Sequence, residues 1–119
     1  MAAQSFVIKD YSIFVGQYGY PINHLHLFND VGDYFVNIKF VDEPEYQNLT
    51  ETQNNNSGIS EIYAEFRSDF FSQAVDILRN EKPVSFQWDA AYKWAVLYTG
   101  KEPVGEEEKQ KYLLKLNLP

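Results

Sequence analysis

The chain has 119 residues, no cysteine and a net charge of −7, and nine Phe, nine Tyr and two Trp make 17% of it aromatic. That length suits one domain with one core, large enough to fold without covalent staples. The missing cysteines exclude a disulfide framework, a thiolate metal site and a cysteine nucleophile, and the acidic balance argues against nucleic acid and anionic membrane as partners.

The N-terminal stretch MAAQSFVIKDYS lacks the basic start and apolar run of a secretory leader. No window reaches the roughly 18 apolar residues of a spanning helix. A cytoplasmic setting is expected. The charge is unevenly placed: Asp42 to Asp69 holds seven acids against Arg67 alone, so that segment carries −6 of the total.

Phe6 to Val15 reads as one strand, or two with a bend near Asp10, and the glycines and proline of GQYGYP end it. His24 to Phe28 is a short strand with Leu25 and Leu27 on one side. Asn29–Asp33 is a glycine-bearing hairpin turn. Tyr34 to Val41 alternates most clearly, with Tyr34, Val36, Ile38 and Phe40 sharing a face. From Pro44 to Gly58 the chain is polar and ends in an Asn run, which predicts a long mobile surface loop.

Ile59 to Arg67 alternates again, with Ile62, Ala64 and Phe66 inward. Ser68 then stands where a helix cap is wanted and Asp69 where the first turn favours an acid. Phe71, Ala74, Val75 and Leu78 follow at helical spacing. Val84, Phe86 and Trp88 share a face of the next strand, and Tyr92, Trp94, Val96 and Tyr98 alternate in the one after it. Glu106–Glu108 followed by Lys109, Lys111 and Lys115 suits a short C-terminal helix. The expectation is therefore a single α+β domain over 1–119. It has a five- to six-stranded, mostly antiparallel sheet, with one main helix at about 68–81 on one face and a short helix at the C-terminus. A polar mobile loop occupies about 44–58.

Two constellations carry chemistry. His24-Leu25-His26 on a strand sends both imidazoles to one side, where they could share a metal with a third ligand such as Asp30. An HxH with an acid several residues on resembles the strand motif of cupins. Their second motif adds a further histidine, and this chain has only two, which separates it from the metal-binding members. The second constellation is aromatic: Trp88, Tyr92, Trp94 and Tyr98, joined by Tyr18 and Tyr20. Flat rings on a sheet form binding patches. With Lys93 as their only cation, they suit a protein surface better than bases.

No serine sits in a nucleophile elbow, and no glycine loop precedes a helix and a lysine. The stretches DILRNEKPV (Asp76–Val84) and KEPVGEEE (Lys101–Glu108) resemble those of small uncharacterised bacterial proteins, mainly cyanobacterial. The resemblance implies a compact bacterial cytosolic domain and assigns no activity. The leading expectation is a non-enzymatic protein-interaction or self-associating module without a cofactor, a homo-oligomer using the aromatic sheet face or a sheet edge. The alternatives are a small metal-dependent enzyme at His24 and His26, and a small-ligand pocket lined by Phe70, Phe71 and Trp88.

Overall fold

Alternation with period two gives a strand one apolar side to bury, and the sheet is built from these sides. The computed structural model describes residues 3–19 and 21–100. Among them are β1 (Gln4–Gln17), β2 (Pro21–Asn29), β3 (Tyr34–Val41), β4 (Thr50–Gln53) and β5 (Ser60–Arg67). The helix α1 (Phe71–Asn80) follows, then β6 (Val84–Asp89) and β7 (Trp94–Thr99). All seven strands join one sheet in the order β4-β5-β3-β2-β1-β6-β7.

The fold is α+β with one main helix, as expected, but the sheet is larger than five or six strands and is mixed. β3 and β5 run parallel, in register from Tyr34↔Ser60 to Val41↔Arg67; the remaining pairs are antiparallel. The extra strand is β4, inside the segment expected to be loop. Its residues TETQ show no apolar alternation, and its ladder with β5 (Thr50↔Tyr63 to Gln53↔Ser60) supplies the order that side chains do not. Leu49, just before it, is buried in the core.

β1 serves two neighbours. Its first residues pair with β6 and the rest with β2, with a register shift between Ile8 and Asp10. One extra residue flips side-chain parity. Phe6 and Ile8 before the shift and Tyr11 and Ile13 after it therefore all reach the same core.

The inner face gathers Leu25, Leu27, Val36, Ile38, Phe40, Ile62, Ala64, Phe86 and Trp88, and Ala74 and Leu78 of α1 pack into the same cluster. The helix thus covers the concave side. It begins after a 3-10 turn at Ser68–Phe70 rather than at Ser68 itself. Ser68 does not cap it; the hydroxyl donates to Asp42 Oδ1 at 2.7 Å, and Asp69 pairs with Arg67 at 3.0 Å. The helix joins β5 to β6, which run in opposite directions with β3, β2 and β1 between them in the sheet.

The sheet curls until its ends approach. Trp88 on β6 donates its indole N–H to Glu51 Oε1 on β4 at 3.0 Å, and Lys93 Nζ donates to the Leu49 carbonyl at 2.7 Å. The expected C-terminal helix lies outside the described residues. Among those described, no helix is long and apolar enough to cross a membrane.

Candidate functional site

The β6–β7 hairpin closes through Asp89. Its Oδ1 accepts from the backbone N–H groups of Ala91 (2.9 Å) and Tyr92 (3.0 Å), and its carbonyl accepts from Lys93 N–H (2.8 Å). Lys93 takes φ +60, the left-handed conformation that completes the turn. The register then pairs Trp88 with Ala95, Phe86 with Leu97 and Val84 with Thr99 on the inner side. Ala95 is small, and it leaves room for the indole opposite.

The aromatic residues of β7 are consequently turned outward. Trp94, Val96 and Tyr98 are 38%, 42% and 39% exposed, and Tyr92 is exposed on the turn. Across β6 this face continues through Gln87 opposite Val96 and Ser85 opposite Tyr98, and then to the exposed Val7 opposite Ser85 on β1. Among the described residues, β7 is the last strand of the sheet. It contains no charge and no proline, the devices that usually blunt an edge. At the other end, β4 has four residues and carries Glu51.

Of the expected aromatic group, Tyr92, Trp94 and Tyr98 therefore share this hairpin. Trp88 does not share their surface. It is 1% exposed, packed against Phe6, Tyr34 and Phe86 at centroid distances of 5.8, 5.3 and 5.6 Å. Tyr18 is exposed just past the far end of β1, eleven residues beyond Val7, the last β1 residue paired with β6. Tyr20 lies outside the described residues.

His24 and His26 do share the outer face of β2, with ring centroids 6.3 Å apart. His24 Nδ1–H donates to Asn37 Oδ1 at 2.8 Å. His26 lies between Phe14 (4.4 Å) and Phe35 (4.9 Å), and burial, with His24 beside it, lowers its pKa. With Val15, Ile22 and Asn37 the pair lines a shallow depression of about 390 Å³. Asp30 is elsewhere, lining a cavity with Val7, Ile8, Lys9 and Tyr11. Among the described residues, no three His, Asp or Glu side chains come together as a metal site would need.

The residues expected to line a ligand pocket also separate. Phe70 borders a cavity of about 270 Å³ with Leu49, Phe66 and Trp94, and the Arg67 guanidinium lies 5.7 Å from its ring centre. Phe71 instead packs on Phe40 at 5.0 Å, and Trp88 is in the core.

One polar centre had no motif to announce it. Glu65 Oε1 accepts from Glu45 N–H (3.0 Å), and Oε2 accepts from Asn48 Nδ2 (3.2 Å) and the Tyr63 hydroxyl (2.9 Å). Burial would raise the Glu65 pKa, but these donors and the charge of Lys39 outweigh it and hold it low. Burial and the Glu65 carboxylate push Tyr63 up to about 12. Glu65 thereby ties the 45–48 segment to the sheet. Tyr63 is a strand neighbour two residues away, but Glu45 and Asn48 are 20 and 17 residues away, and only the fold brings them to Glu65.

Comparison with protein-family models, with curated proteins and with solved structures returns no match.

Proposed function

We propose that the protein is a non-enzymatic interaction module inside the cell, working through the β6–β7 hairpin and the edge of β7. The observation that carries this reading is a six-residue terminal strand with Trp94, Val96 and Tyr98 turned to solvent and no charge or proline among them. Half-exposed Trp and Tyr bury large area at little entropic cost, and they dominate the energetics of protein contacts. A strand edge left unpaired among the described residues adds main-chain donors and acceptors for a partner strand. The acidic surface favours a protein over a nucleic acid or an anionic membrane.

Native mass spectrometry of untagged protein tests the reading. The wild type is expected to carry a protein partner, either the same chain or another, while the triple variant Trp94→Ser, Val96→Lys, Tyr98→Ser comes alone. A wild type that is alone at every concentration, with no co-purifying protein, overturns it.

The metal-dependent alternative rests on His24 and His26 by themselves. Metal analysis with His26→Ala as control decides it, and absence of stoichiometric metal removes it.

A further inference from the structure

Resting on that reading, we infer that the partner of β7 is a second copy of this chain, paired antiparallel across a twofold axis at Val96. A strand that pairs with itself must place like faces together, so partner positions must sum to an even number. With Val96 on the axis, Trp94 of one copy meets Tyr98 of the other on the outer face, twice. Val96 meets Val96 between them. On the inner face Ala95 meets Leu97, again twice. All five positions from Trp94 to Tyr98 find an apolar or aromatic partner, which is the self-complementarity that an isologous contact requires.

Charge selects the same surface. Two copies of a −7 chain repel unless they meet where charge is absent. From Val84 to Gly100 the hairpin holds one acid, Asp89, and one base, Lys93. Asp89 is buried and held by its own turn, and Lys93 is engaged with the Leu49 carbonyl. The acids of the 42–69 segment lie off β7 itself; where the curl of the sheet brings that segment to the start of β7, Glu65 borders the same cavity as Trp94 and Ala95 with Arg67 beside it. The pairing would join two seven-stranded sheets into one.

Because the chain has no cysteine, single engineered thiols report the register directly. Opposed Cβ atoms in an antiparallel pair lie about 4.5–5.5 Å apart, close enough to bridge with a small adjustment. Under mild oxidation Val96→Cys should run mostly as a covalent dimer. Tyr98→Cys, which faces Trp94 of the other copy, should stay monomeric, and Trp94→Cys combined with Tyr98→Cys should restore the covalent dimer. Tyr18→Cys, exposed and remote, reports random collision.

Substitution at these exposed positions leaves the core untouched, and circular dichroism checks that each variant is folded. If the wild type dimerises but Val96→Cys links no faster than Tyr18→Cys, this pairing is wrong while the interaction reading stands. If the wild type is monomeric up to millimolar concentration, or carries a different protein on the hairpin, the self-pairing is likewise overturned. In that case the interaction reading is decided by whether such a protein is present.

Discussion

Trp88 reaches from β6 to β4, and its N–H bond to Glu51 helps hold the curled sheet together. Removing the acceptor leaves a donor unpaired in a buried setting. Glu51→Ala should therefore cost about 1–3 kcal/mol, whereas Trp88→Ala, which also empties a large core volume, should cost about 3–5 kcal/mol. Urea unfolding measures both, and a Glu51→Ala variant as stable as the wild type would mean that the bond does not help hold the sheet ends together. His26 makes a prediction about pH. Its folded pKa lies below the ordinary 6.5, so the unfolded chain binds the proton first as pH falls. Stability from this group is complete above about pH 6.5 and is lost as pH drops below it. His26→Gln should flatten that part of the profile in thermal melts. The contribution of Glu65, whose pKa is lowered from 4.5, is lost only at more acidic pH.

At the scale of elements, β3 and the stripe of α1 were legible because each repeats its period over enough residues to choose a face. The expected strand Tyr34–Val41 is β3, and Phe71, Ala74, Val75 and Leu78 all pack in the core. The bend near Asp10 is the register shift of β1. Periodicity names faces but not neighbours, so the parallel β3–β5 pairing was invisible, as was the distance between β5 and β6. It also cannot say which face turns inward. Trp88 and Trp94 sit on similarly alternating strands, and only the pairing of Trp88 with Ala95 puts one indole inside and the other out. β4 was missed because its order comes from backbone pairing and from Leu49. Leu49→Ala should accordingly cost about 2–5 kcal/mol, and amide exchange at Thr50–Gln53 should accelerate more than in β3. Equal acceleration in both strands would mean that Leu49 supports the whole core and not β4 in particular.

For the whole molecule, the distribution of charge matters more than its total. The acids concentrate between Asp42 and Asp69, while the hairpin that ends the sheet is neutral overall and turns its rings to solvent. A sheet with an uncharged terminal strand is open to pairing at that edge, and one lysine there is the ordinary means of preventing it. Sedimentation velocity of the full chain, from micromolar to millimolar concentration, puts this to the test beside Val96→Lys. The wild type should pass from monomer to dimer as concentration rises, and Val96→Lys should remain a monomer with unchanged circular dichroism. A wild type that stays monomeric throughout, or a Val96→Lys variant that dimerises as well as the wild type, would contradict self-pairing through β7.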